Sequence, residues 1–172
     1  KLLSQLEKEM KQAAKALEYL HQRRISHLDI KPANIMVRKE DNRAILIDFG
    51  VSKQYNEQGE QTSTTPVGVS HGYAPMEQYN IGGASNFLPQ ADIYSLGATL
   101  YKLVTGITPP HAIDVFNNGL PSLPSHLSTK IVGIINEVMR PKSDDRPKSV
   151  SFLVALPNQQ NDESTRVIVV EP

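Results

Sequence analysis

Leu3, Leu6, Met10, Ala13, Leu17 and Leu20 recur at spacings of three and four, which predicts an amphipathic helix over about residues 3–22 with a single apolar stripe. Residues 35–38 (IMVR) and 44–47 (AILI) are short, β-branched-rich apolar runs separated by Glu40, Asp41 and Asn42, the pattern of a small hairpin. From 50 to 90 the chain is rich in Gly, Ser, Thr, Gln and Pro with no sustained period. Most of that stretch is therefore expected to be loop, and so long a loop in a compact domain is usually functional. A second helix is predicted over 92–105, with Asp92 at its start and Gly106 after its end. Its apolar residues Ile93, Leu96, Leu100, Leu103 and Val104 are joined by Tyr94, Ala98 and Tyr101 on other faces, so it should be surrounded by protein. Pro109, Pro110, Pro121 and Pro124 punctuate the next segment. A third helix is expected after Ser128, with Ile131, Ile134, Ile135 and Val138 inward, and a fourth over about 148–156. Residues 157–166 are polar, and Val167 to Val170 read as an isolated strand-like run.

Composition narrows the class. At 172 residues, 39% hydrophobic and 21% charged, the chain is one folded domain rather than two or a disordered segment. Eighteen basic residues balance eighteen acidic ones, leaving no net field to drive attachment to nucleic acid or an anionic membrane. The absence of cysteine removes disulfides and thiolate metal sites and fits a reducing compartment, so a cytoplasmic location is expected. No apolar run approaches the ~18 residues of a membrane span, and no targeting segment is visible. A first residue that is not Met and already falls in helical pattern suggests a fragment of a longer protein.

Chemistry concentrates in His27, Leu28, Asp29, Ile30, Lys31, Pro32, Ala33 and Asn34, between the first helix and the hairpin. Pro32 disfavours helix at Lys31, so these polar groups lie on an extended or turning loop where they can converge. A carboxylate, an ammonium and an amide so close together suit phosphoryl transfer. Asp29 can accept the proton of an attacking hydroxyl, Lys31 can neutralise the transferring phosphoryl, and Asn34 can ligate a hard cation through oxygen. Asp48, Phe49 and Gly50 come at the end of the second strand, which would deliver Asp48 to share Mg2+ with Asn34. Singly, His27 as a hydrogen-bonded core residue, Asp29 as a loop cap and Asp48 as a turn residue are the commoner roles. Jointly they are not: H-x-D-x-K-x-x-N should arise by chance in roughly one in a thousand chains of this length.

This segment resembles the catalytic loop of the eukaryotic-type protein kinase superfamily, and Asp48 to Gly50 resembles its magnesium-binding triplet. Ser70 to Glu77 (SHGYAPME) is similar to the segment closing the activation loop, with Pro75, Met76 and Glu77 where the family usually has Ala-Pro-Glu. Asp92 and Gly97 match the buried helix of the large lobe, and Arg146 matches the arginine that pairs with the Glu77 position. The resemblance implies the mainly α large (C-terminal) lobe of the protein kinase fold over 1–156, a minor β-hairpin at the catalytic cleft, and a tail over 157–172. It implies ATP and Mg2+ as cofactors. Asp29 and Lys31 would be catalytic, Lys31, Asn34, Met36, Ile47 and Asp48 would contact nucleotide, and Asn34 with Asp48 would hold the metal. Met36 would form the floor under adenine, with Ile47 nearby; ordinary core packing explains both equally well. Asp92 would hold the catalytic-loop backbone. Lys31 and Ser70 point to the serine/threonine branch, with a protein hydroxyl as acceptor, and the stretch Gly-Tyr-Ala-Pro-Met-Glu-Gln is similar to bacterial members.

Departures from the family pattern refine these expectations. Leu28 stands where an arginine usually pairs with a phosphorylated activation loop, so control through that contact is not expected. Thr62, Ser63, Thr64, Thr65 and Thr165 are candidate phosphosites, for which solvated surface is the ordinary role. A glycine-rich phosphate loop, a strand lysine and its helix glutamate are absent; they belong to a small lobe that would precede Lys1. That lobe is an expected partner, the chain alone should turn over weakly or not at all, and apolar surface at the vacant junction would favour self-association. Two other classes stay open: a pseudokinase or docking module, and a small-molecule kinase of the aminoglycoside or choline type. Lys31, the Pro75–Glu77 segment and Arg146 argue against the latter.

Overall fold

A computed structural model describes residues 2–60, 62, 68–79 and 88–154 of the chain. The long amphipathic helix α1 spans Leu2–Gln22, and the apolar runs form an antiparallel hairpin of β2 (Ile35–Arg38) and β3 (Arg43–Leu46), in register Ile35 to Leu46 and Met36 to Ile45. Two further strands of two residues each, β1 (Ile25–Ser26) and β4 (Lys53–Gln54), pair antiparallel and bracket this unit. The remaining helices are α2 (Pro89–Thr105), α3 (Ala112–Asn118), α4 (Thr129–Val138) and α5 (Ser151–Val154).

Helix α2 starts three residues earlier than the sequence predicts, because Pro89 occupies its first turn, where a missing N–H costs nothing. Asp92 therefore lies in the first helical turn rather than at the cap. Every residue from 90 to 101 of α2 is buried, and around it pack Ala14, Leu17 and Leu20 of α1, Ile131, Ile135 and Val138 of α4, and Leu153 of α5. Gly106 closes the helix in the left-handed conformation, its N–H bonded to the Lys102 carbonyl. The Ser128 hydroxyl caps α4 by accepting from the Ile131 N–H.

Gly97 is where α2 and α4 touch. A Cβ there would lie 2.2 Å from Val138 Cγ2 and 2.9 Å from Met139 Cγ, and both neighbours are core residues with nowhere to go. Gly97→Ala is expected to destabilise the fold by about 1–3 kcal/mol through overpacking, despite the better helix propensity of alanine. A lowered urea midpoint with an unchanged slope would show it.

The short helix α3 has no counterpart among the elements the sequence predicts. α5 covers the centre of the predicted fourth helix. Residues 155–172 fall outside the described residues, and with them the tail, the Val167–Val170 run and Thr165; Ser63, Thr64 and Thr65 do so as well. Thr62 is exposed, its hydroxyl donating to the Gln54 carbonyl.

Candidate active site

The loop between β1 and β2 is shaped by where its backbone amides go. Asp92, fully buried, accepts from the His27 N–H at Oδ2 and from the Leu28 N–H at Oδ1, both at 2.8 Å. His21, in the last turn of α1, places its Nε2 2.8 Å from Asp92 Oδ2. Burial alone would push this carboxyl up, but the His21 hydrogen bond, the nearby His21 and His27 rings and the Leu28 amide outweigh it and hold it below its ordinary value. One buried carboxylate thus bolts the loop to the central helix and to α1. The arrangement leaves Leu28 at φ +65° and, across the cleft, Asp48 at φ +62°. Left-handed backbone at non-glycine residues costs of order 1–3 kcal/mol each, and here it flanks the chemistry on both sides.

Past Leu28 the side chains converge. Lys31 is extended, at φ −160°, as the following proline requires, and Pro32–Asn34 form a 3-10 turn that brings Asn34 back onto Asp29. The Asn34 amide donates to the Asp29 backbone oxygen at 2.8 Å and to Asp29 Oδ2 at 2.9 Å. Both its hydrogens are thereby used, which leaves Oδ1 for a cation. Lys31 Nζ lies 3.2 Å from Asp29 Oδ2 and donates to the Ser70 hydroxyl at 2.9 Å; that hydroxyl donates to Asp29 Oδ1 at 2.5 Å. The base candidate is consequently held by three side chains while keeping 17% of its own exposed.

His27 joins the two halves of the cleft. Its Nδ1 accepts the Asp29 N–H at 3.3 Å, so its Nε2 carries the hydrogen and donates to the Ile47 carbonyl at 3.1 Å. Its ring lies 4.9 Å from that of Phe49. The Ile47 N–H bonds the Asn34 carbonyl at 3.0 Å, continuing the hairpin register by one pair and setting Asp48 one residue beyond Asn34's partner. Asp48 is exposed, with Oδ1 accepting the Gly50 N–H at 3.2 Å in a tight turn. Strand alternation places Asn34, Met36, Ile45 and Ile47 on one face of the hairpin and Ile35 and Leu46 on the face toward the core. Met36 is 52% exposed, which separates it from the core packing that sequence alone left equally open.

The oxygen donors available here, Asn34 Oδ1 and the Asp48 carboxylate, suit Mg2+, which takes few protein ligands and completes its shell with phosphate and water. Among the described residues no group of three or more His, Cys, Asp or Glu side chains is placed to hold a metal ion, and two oxygen donors fit a cation whose remaining ligands come from phosphate and water.

The segment facing this loop is anchored from behind. Arg146, 3% exposed, makes a two-point ion pair with Glu77 at 2.7 and 2.9 Å, and its other N–H groups reach the carbonyls of Gln90, Arg140 and Pro141. All five guanidinium hydrogens are engaged, a set that lysine cannot reproduce. Leu28 is buried against Ala91 and Val51 in a small apolar cluster, which accounts for a leucine at a position where the family carries charge. Sequence reasoning missed His21, whose position in a helix's last turn was the available signal, and the direct contacts of Ser70.

A mainly helical lobe carrying a carboxylate, a lysine and an asparagine on one loop, and an aspartate two residues past a short hairpin, is the arrangement expected of the large lobe of a kinase. Residues 3–162 match the family model for the protein kinase domain. The chain is 43% identical over 110 residues to serine/threonine-protein kinase PknA of Nostoc sp., which covers 58% of this chain and 19% of that protein. It is 42% identical over 100 residues to serine/threonine-protein kinase C of Synechocystis sp. (55% of this chain, 18% of that protein), and 30% identical over 158 residues to serine/threonine-protein kinase mos of Patiria pectinifera (86% and 45%). This chain belongs to the protein kinase family. It spans about a fifth of the length of the first of these relatives. Among the described residues no helix is long and apolar enough to cross a membrane.

Proposed function

We propose that the protein carrying this chain is a serine/threonine protein kinase, in which Asp29 is the base and Lys31 the cation that stabilises the transferring group. The observation that carries the reading is the cluster in which Lys31, Ser70 and Asn34 all hold the Asp29 side chain, with His27 tying the same loop to Ile47, the residue before Asp48. The Asp29 carboxylate accepts the proton of a protein Ser or Thr hydroxyl as its oxygen bonds the γ-phosphorus of ATP. The bond to the β,γ-bridging oxygen breaks and ADP leaves. Lys31, already held between Asp29 and Ser70, sits beside the charge that builds on the phosphoryl oxygens. Asn34 and Asp48 would hold Mg2+, which neutralises the nucleotide phosphates when bound.

Met36 and Ile47, on the hairpin face turned away from the core, are the adenine contacts in this reading, and a small lobe completing the clamp is the partner. A cytoplasmic location and self-association of the lobe when its junction is uncovered belong to the same proposal. The serine/threonine kinase relatives favour this reading over a small-molecule kinase. Lys31→Met in the full-length protein should lower kcat for protein phosphorylation about 10²-fold while the KM for ATP changes little, because the lost interaction belongs to the transition state. Unchanged kcat would remove Lys31 from the mechanism.

A further inference from the structure

The carbonyl of Leu28, in the peptide that carries Asp29, is held by a residue to which phosphoryl transfer gives no role. Gln78 lies in the 3-10 turn Met76–Tyr79, is 6% exposed, and donates from Nε2 to Leu28 O at 2.9 Å. Its Oε1 is buried and has no hydrogen-bond partner among the described residues. The reverse amide orientation would set oxygen against oxygen, so the donor must face Leu28. An apolar side chain of equal length would fill the same space without stranding an acceptor. Packing alone therefore does not explain a glutamine here, whereas the donated hydrogen bond does.

The place of that bond gives it meaning. The Leu28 N–H is fixed by Asp92 of α2 and the Leu28 side chain by Ala91 and Val51, so Gln78 supplies the one hold on this strained residue that comes from the 70–79 segment. That segment also touches Asp29 directly through Ser70 and is tied down at Glu77 by Arg146. Leu28 carries no charge with which to read a phosphate. We propose that Gln78 is a positioning residue for Asp29, coupling the 70–79 segment to the base through an uncharged contact, so that the base is in place whether or not the Thr62–Thr65 stretch is phosphorylated. The proposal rests on the assignment of Asp29 as base.

The test uses the full-length protein and its Gln78→Met and Gln78→Leu variants, which keep the site filled with apolar atoms and lose the donor. Both should lose about tenfold in kcat, with the KM for ATP within about twofold and the melting temperature near wild type. The loss should be less than additive with that of Ser70→Ala, since both act on Asp29. Phosphatase-treated wild type should keep its activity. Wild-type kcat in the variants, loss of kcat in step with melting temperature, additivity with Ser70→Ala, or inactivation by phosphatase would each overturn the proposal. Asp29→Asn run in parallel separates the two levels. An active Asp29→Asn protein removes the base assignment itself, whereas an inactive one beside fully active Gln78 variants removes only the coupling.

Discussion

Asp29→Asn should lower protein phosphorylation by the full-length protein about 10³-fold, in the middle of the range a positioned proton acceptor contributes, and should leave the fold intact. The asparagine is isosteric, so Lys31, Ser70 and Asn34 keep a neighbour of the same shape, but no group remains that can take the hydroxyl proton. Asp29 is partly exposed and the loop's backbone bonds run to Asp92, so the melting temperature should move by a few degrees at most. A radiolabel-transfer assay on a Ser/Thr-containing protein substrate, with thermal unfolding measured on the same samples, checks both halves. Loss of activity together with loss of folding would point to a structural aspartate instead.

The largest effect on stability is expected at Asp92. Replacing it with alanine leaves the His27 and Leu28 amides and the His21 ring facing a void inside the lobe, and removing one partner from such a buried charged network costs about 3–5 kcal/mol. A domain of this size has about 5–15 kcal/mol in total, so Asp92→Ala should be barely folded at 37 °C. Asp92→Asn retains one acceptor but turns an NH2 toward a donor, and should fall between. The pH dependence has a definite sign. Since the fold holds this carboxyl below its ordinary 3.8, its contribution is complete above that value and is lost as the pH falls toward the lower folded one. Urea midpoints measured from about pH 5 down to about pH 2 should therefore fall more steeply below about pH 4 for wild type than for Asp92→Asn.

The legible parts of this protein were those with a period or a punctuation mark. The stripe from Leu6 to Leu20, the two apolar runs around Asp41 and Asn42, and the Ser128 cap each read directly into α1, the hairpin and α4. Helix α3 escaped because seven residues give no full repeat, and its cap is His111, whose Nδ1 accepts from Ile113 in place of the usual hydroxyl or carboxylate. β1 and β4 escaped for a related reason: two residues cannot show alternation, and their pairing joins positions 25 and 54 across the whole hairpin. In the site, side chains within one loop were readable from spacing. Contacts closed by the tertiary fold, such as Ser70 on Asp29 and His21 on Asp92, depend on the path of 40 to 70 intervening residues and left no local mark.

The central proposal is that Asn34, whose carbonyl accepts the Ile47 N–H, and Asp48, the residue after Ile47, serve one divalent ion and the nucleotide it accompanies. Calorimetric titration of the full-length protein and its Asp48→Asn variant with a non-hydrolysable ATP analogue, with and without Mg2+, addresses it most directly. Mg2+ should tighten analogue binding to the wild type and have little effect on the variant. An equal Mg2+ enhancement in both proteins would contradict the account.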